Sequence, residues 1–509
     1  MTNLNIQSIA IIGAGPGGLA SLYEFLHTNK DGSSTVGGPK SIDPKFTNIV
    51  AFEQKDKVGG IWATSGKDSD LPIPPQNLLD TESYANPDII HPSQPIPDNL
   101  QNTSVDKPVV KKLDPIAREL EWNKSGVFPG LFTNIPSRFT RFSYLPNEVK
   151  YLDKSRTIYP FLSHEELSKR FSDFVDKEDL DKYVRKNSRV EGLFKNNKDK
   201  WVVTVRHTSA EYEEWYEEEY DAVVIANGHY TVPNIPHIEG LAKFNELHPN
   251  TLIHSKSFRD AQKFKDKKVL IVGGSFSSIN VLQYVVPLAK QTFISKRGPH
   301  LVFPWIDKAV DSEGIFKKPV IEKFLPESNE VLFSDGSKEK DFDIILLATG
   351  YHYHYPFLNK YLKVIEPSNL SRVSGLYYDT FAIEDPTLAT VGVAISTINF
   401  HTIEASAAAI AGVWSNSKTL PTKEEQHAWE KEHIETTADN LFFHYYTHDT
   451  VKDNFIDKLH DYAPSGRKNP FEEDSQFLNE INEGINSLEN LFYKLKNKTL
   501  NLEDTLVSA

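Results

Sequence analysis

The sequence predicts an α/β protein made of two doubly wound, Rossmann-like units, one inserted into the other, followed by a mostly helical C-terminal region. Two observations carry this. A short apolar strand, a glycine-rich turn and a helical stretch occur once as Ser8-Ile-Ala-Ile-Ile-Gly13-Ala-Gly15-Pro-Gly-Gly18, and again as Lys268-Val-Leu-Ile-Val-Gly273-Gly274-Ser275-Phe-Ser277-Ser278. Strand and helix signals alternate around both, the pattern of parallel sheets covered by helices. The length of 509 residues accommodates about three domain-sized units.

Taken in order, residues 5–12 read as the first buried strand, and the first turn opens the first helix. An insertion at 27–46, rich in Gly, Ser and Lys, delays the next strand, which ends at Glu53. Residues 65–122 form a long irregular excursion, with nine prolines from Pro72 to Pro115, expected as a surface wrap serving a lid or an oligomer contact. Ser163-His-Glu-Glu166 is a capping box opening a helix with Leu167, Phe171 and Phe174 on its apolar side. The acidic run 211–219 is expected as a solvated hairpin or sheet edge. The small-residue run 404–412 is expected as a helix packed closely on cofactor or sheet. These signals divide the chain into 1–235 and 346–509, the two parts of the first unit with the helical C-terminal region, and 236–345, the inserted unit.

Composition excludes several chemistries. Lys and Arg number 56 against 70 Asp and Glu, a net charge of −14 that disfavours nucleic acid or anionic lipid as a partner. Cysteine is absent and Met1 is the only methionine, which removes disulfide frameworks, Cys-zinc sites, iron–sulfur ligation and thiol nucleophiles. A cleaved leader would take part of the first strand with it, and the apolar runs at 222–226 and 344–348 fall far short of the roughly 18 residues that span a bilayer. The chain therefore reads as cytoplasmic without an integral membrane segment; peripheral membrane association and a homodimer stay open. Paired histidines at 352/354, 444/448 (expected on a helix) and 427/433 lack the ligand spacing of a metal site.

In the first turn Gly13 permits the bend, Gly15 lets a pyrophosphate approach the backbone, and Gly18 lets helix and strand pack closely. Glu53 can accept from both hydroxyls of an unphosphorylated ribose, which suits FAD or NAD. In the second turn Gly273 and Gly274 are followed by Ser275, Ser277 and Ser278, with serine at the second and third glycine positions. The next strand ends in Ser295-Lys296-Arg297, a hydroxyl and two cations suited to a 2′-phosphate, so this nucleotide reads as NADPH. An FAD-type and an NADPH-type site on one chain imply hydride transfer from nicotinamide to flavin. With no cysteine, onward transfer to a redox dithiol is excluded, leaving dioxygen, a quinone or another carrier as acceptor.

These residues, with several further blocks, resemble the flavin-containing monooxygenases, closest to the yeast and fungal thiol-specific branch. Phe52-Glu53 followed by Val58-Gly59-Gly60-Ile-Trp62 is similar to a flavin-contacting loop, through Gly60 and Trp62. Gly130-Leu-Phe-Thr133-Asn134-Ile-Pro136 is similar to the family's Thr-Asn-x-Pro segment. Ala226-Asn-Gly228-His-Tyr230 and Ala348-Thr-Gly350-Tyr351 resemble the two crossings between domains. Of the family fingerprint Phe-x-Gly-x-x-x-His-Ser, His254 and Ser255 match, while His248 and Asn250 replace Phe and Gly. The resemblance implies an enzyme using FAD, NADPH and O2 to oxygenate soft sulfur or nitrogen nucleophiles through a flavin C4a-hydroperoxide, with Asn134 as the catalytic hydrogen-bonding group at the flavin edge. Asn134 read alone also fits a residue fixing the turn before Pro136. An NADPH oxidase releasing peroxide, a nucleotide-gated flavoprotein sensor and a Baeyer–Villiger-type monooxygenase are the competing readings.

Overall fold

In the computed structural model, residues 4–64, 73–114, 124–358, 362, 371–437 and 442–502 are described. Part of the excursion, including Pro72 and Pro115, lies outside them. Two parallel sheets organise the chain. The first runs Leu376–Tyr377, Phe381–Ala382, Leu388–Thr390, Ala222–Ile225, Ser8–Ile12, Asn48–Phe52, Val184–Arg185, parallel throughout except around Phe381–Ala382. The second runs Leu252–His254, Ile344–Leu347, Lys268–Val272, Gln291–Ser295, Ile315–Lys318, all parallel. The second sheet lies in sequence between strands of the first, so its unit is inserted. Central strands such as Ala-Val-Val-Ile and Ile-Ile-Leu-Leu are almost entirely buried, because helices cover both faces of a parallel sheet.

The two crossings lie side by side. Tyr351–His352 pairs antiparallel with Val232–Pro233. Thr349 Oγ1 donates to the Asn234 carbonyl at 2.5 Å, and Asn234 Nδ2 donates back to the Thr349 carbonyl at 3.2 Å.

Three expectations change. The acidic segment, Tyr212–Tyr220, is an arm of an antiparallel hairpin with Trp201–Thr208, as expected, but it is not an edge: its other side pairs with Val109–Lys112. The excursion supplies that covering strand, with Lys111 opposite Glu213 and Lys112 opposite Tyr212. Proline density hid a strand of only four residues. His444 stands in a turn just before the strand Tyr445–Tyr446, not on a helix. The small-residue helix Asn399–Trp414 packs on the first helix, Pro16–Leu26. A Cβ at Gly412 would stand 2.0 Å from the Tyr462 carbonyl, so only glycine permits that approach.

Arg467 fastens these two helices to the C-terminal region. It is buried with Glu24 and Glu404, at 2.8 and 2.5 Å. Farther on, the helix Asn479–Lys496 joins both units. Ile481 enters the core of the first, while Leu488, Leu491, Phe492 and Leu495 enter that of the second. At about 1.5–3 kcal/mol for each large apolar side chain buried, this seam is a substantial tie. Among the described residues no helix is long and apolar enough to cross a membrane.

Candidate active site

The first turn forms a cradle lined by backbone. Gly13 has φ +100°, and a Cβ there would meet the Ala226 carbonyl at 2.5 Å; one on Gly18 would meet the Gly13 carbonyl at 2.0 Å. Gly15 faces the loop after the second strand, since a Cβ on Gly60 would stand 2.9 Å from the Gly15 Cα. Gly60 begins a short turn of 3-10 helix ending at Trp62. Glu53 is buried and accepts from the Ala14 and Lys55 N–H groups at 2.9 and 3.0 Å. Burial holds its carboxyl above the ordinary range, opposed by those donors. A buried acid beside a turn that excludes side chains fits the ribose and pyrophosphate of a dinucleotide such as FAD.

The second turn repeats the device with a serine variation. Gly273 has φ +127°, and an added Cβ would stand 2.2 Å from the Ala348 carbonyl. Ser278 keeps the close packing of the third glycine by donating to the Gly273 carbonyl at 2.7 Å. Ser275 is exposed at the N-cap of the helix Phe276–Val285, with Ser277 in its first turn. A Cβ on Gly274 would come to 3.0 Å from that of Lys296. Lys296 lines an open cleft of about 460 Å3 with Asp307, Lys317 and Lys318, and Arg297 is exposed beside it. Ser295 is placed differently from the expectation: it is buried, and its hydroxyl donates to the Pro319 carbonyl at 2.7 Å rather than facing the cleft. Lys317 and Lys318 escaped the sequence reading because they sit on the next parallel strand, although a double lysine at a strand end was visible.

Asn134 is exposed while Phe132, Thr133 and Ile135 around it are buried. Its segment is held by Thr133, whose N–H donates to the Leu162 carbonyl at 2.8 Å and whose hydroxyl donates to the Ile135 carbonyl at 2.9 Å. Tyr230 is 42% exposed and its ring lies 4.2 Å from that of His229. It meets Tyr351 edge-on at 5.6 Å. Gly228 and Gly350 carry positive φ on the two crossings, and an added Cβ would meet nothing within 4 Å at either. Burial, with His444 nearby, pushes the His229 imidazole down to about 4.

His254 ties the end of the strand Leu252–His254 to the second crossing. The Lys256 N–H donates to its Nδ1 at 3.1 Å, which leaves the proton on Nε2, and Nε2 donates to the Gly350 carbonyl at 3.1 Å. Burial, reinforced by Lys256, pushes it down to about 3, so it works as a neutral staple between a strand end and the second crossing. Asn250 has φ +68°, a left-handed conformation that asparagine tolerates, and His248 packs its ring on Phe244 at 4.8 Å. Among the described residues no group of three metal-ligating side chains converges.

Two glycine-turn cradles, the second on a unit inserted into the first, define a flavin- and nicotinamide-dependent oxidoreductase. The profile of the flavin-binding monooxygenase-like family matches residues 121–315 and 312–470, and the chain belongs to that family. It is an FAD-dependent monooxygenase that uses NADPH. It is 27% identical over 445 residues to a trimethylamine monooxygenase of Methylocella silvestris, covering 86% of this chain and 81% of that one. It is 24% identical over 481 residues to the flavin-containing monooxygenase ustF2 of Aspergillus flavus, covering 87% and 89%. The fold matches S-allyl-L-cysteine S-oxygenase from Allium sativum with a TM-score of 0.65 at 22% identity, covering 96% and 98%.

Proposed function

We propose that the protein oxygenates soft nucleophiles, thiols, thioethers or amines, as in the thiol-specific branch its motifs resemble. The observation that carries this is the state of the titratable rings around the two crossings, where Tyr230 and His254 both meet Tyr351 edge-on. His229 and His254 are neutral at physiological pH, and burial raises the phenols of Tyr230 and Tyr351. Such rings offer a substrate no strong base, which suits amines and thioethers that react as neutral nucleophiles and thiols that arrive already ionised. The amine named for the Methylocella silvestris relative belongs to the same class. The lack of cysteine and internal methionine also fits, since a chain that handles activated oxygen then offers it no sulfur of its own.

In this reading Gly13, Gly15, Gly18 and the N-terminus of the first helix hold the FAD pyrophosphate, Glu53 holds the ribose, and Gly60, Trp62 and Gly350 border the flavin. Gly273, Gly274, Ser275, Ser277 and Ser278 hold the NADPH pyrophosphate, with Lys296 and Arg297 on the 2′-phosphate and Ser295 bracing their strand. Bound there, the cofactors supply hydride transfer and dioxygen activation. Asn134 presents an amide to the flavin edge, and His254 keeps the second crossing in register with the fingerprint strand.

Following NADPH use, peroxide and oxygenated product together across thiols, thioethers and amines should give product matching NADPH for at least one class. Near-complete peroxide recovery with every compound would overturn the proposal in favour of an oxidase. The paired replacement Lys296→Ala, Arg297→Ala should raise KM for NADPH by about 10- to 100-fold and leave KM for NADH nearly unchanged, because two solvent-screened cations on a phosphate are together worth roughly 1.4–2.7 kcal/mol.

A further inference from the structure

His300 lies outside both glycine turns, five residues beyond the strand that ends at Ser295. The Val302 and Phe303 N–H groups donate to its Nδ1 at 3.2 and 3.0 Å, so the neutral ring carries its proton on Nε2. That proton points at the Ser275 hydroxyl, with Nε2 and Oγ 3.1 Å apart. Ser275 occupies the position where a glycine ordinarily lets pyrophosphate approach the backbone. Its side chain does not cap its own helix, so accepting from His300 leaves the hydroxyl proton free for a ligand. The same histidine donates its backbone N–H to Asp307 at 2.9 Å, and the other Asp307 oxygen pairs with the Lys296 ammonium. Phe276 and Phe303 pack edge-on and tilted against the imidazole and fix its plane.

We propose that His300 is a positioning residue of the second nucleotide site: it aims the Ser275 hydroxyl at the dinucleotide pyrophosphate and, through Asp307, holds that subsite in register with Lys296. This rests on the reading of the turn as the NADPH site. The serine then replaces a backbone contact with a side-chain contact, which needs a second residue to orient it. The network Ser275–His300–Asp307–Lys296 spans both phosphate positions with each connection made by a hydrogen bond or ion pair.

The test is titration of the FAD-loaded enzyme with NADP+ by calorimetry, with KM for NADPH and kcat measured in parallel. His300→Ala should weaken NADP+ binding by about tenfold and raise KM without a matching fall in kcat. His300→Gln, which can present an N–H near the Nε2 position, should recover most of the affinity. In a Ser275→Gly background His300→Ala should change affinity by less than about twofold, because the hydroxyl it orients is gone. Equal affinity in wild type and His300→Ala, or the same loss in the Ser275→Gly background, would overturn the positioning role. Failure of the wild-type holoenzyme to bind NADP+ at all would instead overturn the site reading on which the role depends.

Discussion

Arg467→Met should destabilise the protein by about 3–5 kcal/mol, measured by denaturant unfolding of the holoenzyme. The guanidinium is buried between two carboxylates that are themselves fully buried, Glu24 on the first helix and Glu404 on the small-residue helix. Methionine replaces the aliphatic stem of the side chain but leaves both acids without their cation. The Ser143 N–H, which donates to Glu404 at 2.7 Å, is too little to replace it. The loss should depend on pH in a defined direction. Burial already raises the Glu24 carboxyl and Arg467 opposes the rise, so removing the arginine lifts it further. A native carboxyl raised above its unfolded value binds protons the unfolded chain has released, so stability falls as pH rises through that window and recovers as pH drops. The deficit relative to wild type should therefore be largest near pH 8 and shrink toward pH 5. Replacing both acids by glutamine in the same variant should restore most of the stability. A deficit that is flat with pH and survives that replacement would show that packing, not charge, sets the role of Arg467.

Gly18→Ala should yield protein depleted of FAD by at least about tenfold, seen in the visible spectrum of the purified chain. The conformation of Gly18 is not the obstacle, since its φ is not left-handed; space is. An alanine Cβ would lie 2.0 Å from the Gly13 carbonyl oxygen, a backbone atom that cannot step aside as a flexible side chain would. The helix Pro16–Leu26 would have to move off its strand, carrying away the N–H groups that face the pyrophosphate. Overpacking of this kind costs about 1–3 kcal/mol, and here it falls on the cofactor cradle. Gly37→Ala is the contrast: φ is +84° but nothing lies within 4 Å of the added Cβ. It should cost only the left-handed backbone, about 1–2 kcal/mol, and keep its flavin. Normal flavin content in Gly18→Ala would mean the cradle tolerates a helix displacement that the backbone contact rules out.

Much of the site could be read from local signals because the chemistry there is local. A strand, a glycine turn and a helix start within about a dozen residues, and the charge ending the following strand is the signal on which the proposed division between FAD and NADPH rests. The excursion shows the opposite case. Nothing in Val109–Lys112 announces a strand, and it becomes one only because the acidic strand Tyr212–Tyr220 offers an open edge a hundred residues away. The same distance explains His300, an unremarkable residue in sequence that meets Ser275 only when two neighbouring strands bring their ends together.

What the amino-acid sequence by itself determined was the α/β class, the two nucleotide turns, the acid at Glu53 against the cations at Lys296 and Arg297, and the exclusion of thiol chemistry. These depend on backbone preference, periodicity and composition, which act over a few residues. Only the tertiary structure decided that His254 staples a fingerprint strand to Gly350, that Ser295 turns inward to Pro319, and that the helix Asn479–Lys496 binds both units into one body. Each of those depends on which distant surfaces close on one another, and that choice is set by packing complementarity and the burial of charge rather than by any local pattern.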